Sequence, residues 1–149
     1  MHNRGFTLVE VLIAMGVCIS LISAGLVITV NEYRGEIARA EEETIVMLLK
    51  SARSEAMSNI SGTPHGVAIN PPDYPHAYVV FEGAEYDPLE GEILAQEYAL
   101  DLTASSLSAV VFEQLSGDAR EPGSVLFVDS LGMEREIEIN AEGRIDWHI

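Results

Sequence analysis

Chemistry needs reactive side chains brought together, and this chain offers few. Its histidines are His2, His65, His76 and His148. No two are spaced four apart on a helix, and no HExxH is present. His65 and His76 flank a proline-rich loop; a metal pair is one reading there, and surface loop histidines are the plainer one. The single cysteine, Cys18, lies inside a long apolar run. A thiolate is disfavoured in such surroundings, so packing is its expected role. One cysteine also excludes an intrachain disulfide and a cysteine-based zinc site. Ser51, Ser54 and Ser58 have no neighbouring base, and GxSxG, P-loop and GxGxxG patterns are missing. The segment Glu82–Glu92 holds five carboxylates. Oxygen-rich loops can hold Ca²⁺, but this spacing matches no EF-hand, and a solvated acidic loop is expected. These residues assign no catalytic group, no metal ligand and no cofactor. Glu10 stands out by position instead: it is the only charge between Gly5 and Glu32.

The elements around Glu10 explain why that position matters. Val11 to Val30 is a run of 20 uncharged residues without proline. A helix rises about 1.5 Å per residue, so such a run covers the roughly 30 Å apolar core of a bilayer. A buried core helix is the competing reading, but the rest of a 149-residue chain is too short to wrap it. His2 and Arg4 precede the run, so the N-terminus is expected on the cytoplasmic side and the acidic bulk across the membrane. The run is too long for the apolar region of an ordinary secretory signal, and no convincing Ala-x-Ala site follows it. A carboxylate at the edge of a lipid-facing helix costs a few kcal/mol unless it is paired or reaches the interface. No Lys or Arg within the run supplies a partner. Either Glu10 snorkels to the interface, or its cation comes from another subunit or from a freed amino terminus.

Gly5-Phe6-Thr7-Leu8-Val9-Glu10, after a short leader with Arg4 and before the apolar helix, resembles the class III signal of type IV pilins and type II secretion pseudopilins. The resemblance implies cleavage by a prepilin peptidase between Gly5 and Phe6, and N-methylation of Phe6. It also implies that Glu10 neutralises the amino terminus of a neighbouring subunit. Further along, Leu49-Lys50-Ser51-Ala52-Arg53-Ser54-Glu55-Ala56 resembles the end of the long helix in GspH/FimT-like minor pseudopilins, with their Ala-Arg-x-x-Ala pattern. Ile137 to Ile145 is similar to the closing hairpin of that group. Major pilins carry a mid-helix proline and often a C-terminal disulfide pair. This sequence has neither, which fits a pseudopilin or minor pilin better.

Beyond the apolar run, the helix is expected to continue to about Asn59. Ala38, Ile45, Leu49, Ala52, Ala56 and Ile60 recur at helical spacing and form one face, expected to pack under a sheet. Glu41, Glu42, Glu43, Lys50 and Ser54 are expected mostly on other faces, and Arg39 can pair with Glu43. Asn59, Ser61, Gly62 and Pro64 end the helix. Strand periodicity then predicts strands over 66–70, 76–82, 92–100, 108–115, 124–128, 135–140 and 144–149. The last three form a meander. The expected class is α+β: a long N-terminal helix with a C-terminal antiparallel β-domain on its second half. The expected divisions are a leader over 1–5, a transmembrane segment over 6–30, a soluble helical continuation over 31–60 and a β-rich pilin-like domain over 61–149.

Charge narrows the partners. The chain has 8 basic and 24 acidic residues, a formal charge of −16. Beyond residue 60 there are 17 acids against Arg120, Arg135 and Arg144. Nucleic-acid binding needs clustered Lys and Arg, so a DNA-capturing pilus tip is disfavoured. A membrane-anchored enzyme would need a convergent polar pocket. The expected role is structural, not enzymatic. The expected partners are prepilin peptidase, other pilin-like subunits and membrane lipid.

Overall fold

A computed structural model describes residues 7–75, 77–89, 92–95, 100–102, 106–129 and 132–147; it gives 24–31, 92–95 and 100–102 by backbone alone. One helix, α1, runs unbroken from Leu8 to Met57. No proline precedes Pro64, so no backbone N–H is missing from its ladder. Thr7 caps the start: its extended backbone lets Oγ1 accept the Glu10 N–H at 3.3 Å. Among the described residues three hydroxyls inside the helix return to their own backbone. Ser20, Ser23 and Thr44 donate to the carbonyls of Gly16, Ile19 and Ala40, at 2.8, 2.9 and 2.8 Å. The helix stops where Asn59 turns left-handed at φ 55°, a conformation Asn tolerates, and a short 3₁₀ turn over Ile60–Gly62 follows.

Among the described residues eight strands follow: β1 (His65–Ile69), β2 (Tyr78–Glu82), β3 (Glu92–Ala95), β4 (Leu100–Leu102), β5 (Ala109–Phe112), β6 (Gly123–Asp129), β7 (Glu134–Ile139) and β8 (Ile145–Trp147). They form two antiparallel sheets, ordered β3-β2-β1-β5 and β4-β6-β7-β8. The expected meander is β6-β7-β8, with Val125 opposite Ile137 and Ile137 opposite Trp147. The single strand expected over 92–100 is corrected to two. β3 joins the first sheet and β4 the second, so the chain crosses between sheets within that stretch.

The second half of α1 covers both sheets. Ala38, Ile45, Leu49, Ala52 and Ala56 are buried against Val67, Ile69 and Phe112 of the first sheet and Val125, Phe127, Ile137 and Ile139 of the second. Two readings of that helix face are corrected. Ile60 lies beyond the helix end and is 48% exposed. Glu41 and Glu42, expected on other faces, are buried against the β-domain. The core stripe is wider than alternating apolar positions suggest, because Val46 and Leu48 are buried as well. Arg39 pairs with Glu36 at 4.0 Å, one turn before it, and not with Glu43 as its spacing suggested.

Candidate functional site

The first turn of α1 holds Glu10, one of the residues singled out by sequence. Gly5 and Phe6 lie outside the described residues. Glu10 is placed in the first turn, with its backbone N–H held by the Thr7 carbonyl and hydroxyl at 3.1 and 3.3 Å. An acid in that turn also meets the positive end of the helix dipole. Its side chain is exposed, and among the described residues no cation pairs with it. Glu10, Ala14 and Cys18 follow one another at intervals of four along the helix. Cys18 is a free, exposed thiol.

Around Glu10 the helix has no partner among the described residues. Leu8, Val9, Leu12, Ile13, Met15, Ile19, Leu21 and Ile22 are all more than 60% exposed. An amphipathic helix would hide one side; this stretch is bare all round. Among the residues described in full, no helix is long and apolar enough to cross a membrane. The uncharged run continues through 24–30, which are described by backbone alone.

The other half of the helix is fastened by polar groups. Arg135 on β7 donates from Nη1 to Glu42 Oε2 at 2.8 Å; the two side chains are 10% and 3% exposed. Its Nε lies 3.7 Å from Asp129 Oδ2, and Asp129 Oδ1 accepts the Met133 N–H at 2.9 Å. The Tyr78 hydroxyl donates to Glu41. Glu41 and Glu42 are therefore tied to β2 and β7, which explains why two acids lie in the core. Further along, Arg53 donates from Nε to Gly117 O at 3.0 Å and from Nη2 to Glu142 O at 2.7 Å. One helix arginine thus ties the loop between β5 and β6 and the turn between β7 and β8. Gly117 and Gly143 turn at φ 70° there. A Cβ on Gly143 would sit 2.0 Å from Gly117 O, so only glycine permits the approach. Lys50 Nζ rests 4.1 Å from the Trp147 ring centroid.

The remaining candidates disperse. His65 was expected on a surface loop, but it opens β1 and is 1% exposed. Its Nε2 is 3.0 Å from Ile60 O and its Nδ1 3.4 Å from Glu55 Oε2. It closes the turn between helix and sheet. His2, His76 and His148 lie outside the described residues, so the His65–His76 pairing is not placed. In the acidic loop, Glu82 accepts from Ser61 Oγ at 2.9 Å, and Asp87 Oδ1 accepts the Leu89 N–H at 2.9 Å. Among the described residues, no three His, Cys, Asp or Glu side chains converge as a metal site. Ser51 donates to Glu55 Oε1 at 3.0 Å. Arg120 donates from Nε to Glu113 at 2.7 Å, a bond that holds its pKa above the usual arginine value, with Glu85 and Glu121 adding to it. Burial, followed by the charge of Asp73, raises the Tyr86 phenol above its ordinary value.

A long helix laid across antiparallel sheets, bare and apolar at its N-terminal end, is the architecture of a pilin-like protein. The prokaryotic N-terminal methylation motif, the processing motif of prepilins, matches residues 1–29. The chain is pilin-like in both respects. The fold is similar to that of the type IV minor pilin FimU of Pseudomonas aeruginosa strain PAO1, with a TM-score of 0.54. The likeness covers 74% of this chain and 92% of that one at 17% identity, so it concerns the fold alone. No curated protein sequence matches the chain.

Proposed function

We propose that this chain is a structural minor pseudopilin or minor pilin. A prepilin peptidase cuts between Gly5 and Phe6, and Phe6 becomes the methylated first residue. The mature chain then joins the tip or initiating complex of a type II secretion pseudopilus or a type IV pilus. Before assembly it is held in the inner membrane by a single pass over 6–30, with the β-domain on the far side. The observation that carries this reading is the division of α1. Its second half is locked into the β-domain, while its first half presents large apolar side chains to nothing. Burying each such side chain in lipid or among neighbouring helices stabilises by about 1.5–3 kcal/mol. Glu10 then meets the amino terminus of a neighbour. Such a buried pair sets register more than it adds stability, because both charges lose water.

A DNA-capturing tip subunit finds less support. Arg120, Arg135 and Arg144 are each already paired with carboxylates of this chain: Glu113, Glu42 and Asp146.

Co-expression with a prepilin peptidase tests the proposal. Intact mass and N-terminal sequencing should find a chain that starts at methylated Phe6. A chain still starting at Met1 beside an active peptidase would remove the proposal. Glu10→Val should leave cleavage and insertion intact but lower crosslinking to other pilin-like subunits at least about tenfold. Crosslinking equal to the parent would refute the ion-pair role.

A further inference from the structure

The first cation after the apolar run is Arg34, and it stands apart from the others. Arg39, Arg120, Arg135 and Arg144 each pair with a carboxylate of this chain. Arg53 is held by two loop carbonyls, and Lys50 rests on Trp147. Arg34 is exposed, and among the described residues no carboxylate pairs with it. Tyr33 beside it is 67% exposed and is the only aromatic residue of α1. A helix that uses a single aromatic, and leaves it bare next to an unpaired arginine, gives both side chains the same task.

Position along the rod says what they meet. The apolar core of a bilayer is about 30 Å thick and the whole bilayer about 40–45 Å, which leaves a headgroup layer of roughly 5–7 Å on each face. At about 1.5 Å per residue, Tyr33 and Arg34 stand roughly 4.5 and 6 Å beyond Val30, inside that layer. Arg39 stands roughly 14 Å beyond it and Lys50 roughly 30 Å, both out of reach. Arg34 also precedes Ala38 by four residues, so the two share a helix face. Ala38 is 1% exposed under the β-domain. Arg34 therefore lies in the gap between membrane and head. Glu32 and Glu36 are each two residues away, on the other side of the helix, and do not compete for it.

We propose that Tyr33 and Arg34 form a lipid-phosphate site that sets how far the helix stands out of the bilayer. The Arg34 guanidinium donates two N–H groups to the oxygens of one headgroup phosphate. The Tyr33 ring lies at the level of the lipid esters with its hydroxyl toward water, as an amphipathic ring does at that depth. Charge explains the need for a cation in the gap. Beyond residue 60 the head carries 17 acids against three arginines, so it repels an anionic membrane surface. The site rests on the reading that Val11 to Val30 spans the membrane, and it adds to that reading the residues that fix the depth.

The test uses the full-length protein, with ¹³C at the arginine guanidino carbons, in bilayers of phosphatidylethanolamine and phosphatidylglycerol without other subunits. Rotational-echo NMR between ¹³C and ³¹P reads which guanidinium touches phosphate. Arg34→Gln should remove about half of the dephasing, because Arg4 flanks the membrane at its other face and keeps its share. Both side chains at 33 and 34 are exposed, so the variants should fold as the parent does. In a second measurement a gadolinium-chelating lipid broadens amide signals at headgroup depth. Broadening should peak at Tyr33 and Arg34, and the double variant Tyr33→Ala, Arg34→Gln should move the peak by about one helical turn or more. Equal dephasing in parent and Arg34→Gln would overturn the proposal. So would a peak that the double variant leaves in place, or an Arg34 that contacts a neighbour's carboxylate and no phosphate. Hydrogen exchange of Val11 to Val30 in the same bilayers separates two kinds of failure. Fast exchange there removes the membrane span itself, whereas protected amides with no Arg34–phosphate contact overturn this site alone.

Discussion

Replacing Arg135 by methionine puts the junction between helix and β-domain to the test. Arg135 is the cation between Glu42 on α1 and Asp129 on β6, whose side chains are 3% and 2% exposed. Methionine keeps the length and removes the charge. Two carboxylates then remain in the interior, with the 2.8 Å bond to Glu42 gone. Breaking one side of a buried ion pair costs about 3–5 kcal/mol, because the surviving charge stays desolvated. For a chain of this size that lowers the melting temperature by on the order of 10 °C. Urea unfolding of the full-length protein in a nonionic detergent, followed by the fluorescence of Trp147, its single tryptophan, reads the effect directly. Glu42→Leu combined with Arg135→Met is the control. Apolar replacement of both partners is often close to neutral, so the double variant should recover at least half of the loss. Residues in contact couple by about 0.5–3 kcal/mol in such cycles. A loss below about 1 kcal/mol in Arg135→Met, or strict additivity of the two substitutions, would refute the claim that this cation holds the junction.

The remaining predictions concern separate places. Arg53→Met removes the bonds to Gly117 O and Glu142 O and should cost about 2 kcal/mol, with faster amide hydrogen exchange at Gly117 and Gly143. Gly143→Ala forces a side chain into φ 70° and against Gly117 O, and should destabilise by at least about 2 kcal/mol in the same urea assay. Tyr86 holds its proton more tightly folded than unfolded. As pH rises past the ordinary tyrosine value of about 10, the unfolded state loses that proton first, so stability falls there. Tyr86→Phe should flatten this part of the stability profile, while an unchanged profile would contradict the burial of the phenol.

Local patterns were readable wherever the sequence carries its own period. The helix, the β6-β7-β8 meander and the inward placement of Ala52 and Ala56 follow from spacing, and the two alanines are fully buried, as that spacing requires. The contacts that escaped reading join distant parts of the chain. Glu42 looks like a surface acid until its partner, 93 residues later, is known. Glu41 finds Tyr78, and His65 is enclosed by Ile60 and Glu55 across a turn whose geometry depends on Asn59 and Ser61 at positive φ. Glu42 stands three residues before Ile45 and seven before Leu49, on their face of the helix, and that spacing is the signal that would have disclosed it. The strand expected over 92–100 failed for a related reason: periodicity reports a strand's alternation, not the sheet it joins. For the processing site the motif speaks alone, since Gly5 and Phe6 lie outside the described residues, while Glu10 is placed on the open helix.

The unbroken course of α1 has a mechanical consequence. A rod with no hinge passes a pull at its N-terminal end straight along its axis to the β-domain. Between Ala38 and Ala56, roughly 27 Å of helix at 1.5 Å per residue, that pull acts as shear along the sheets. Shear strains the Glu42–Arg135 bond, the packed stripe and both Arg53 bonds together, whereas a sideways force peels them in turn. The head is therefore strongest against tension along the rod and weakest against being lifted off it.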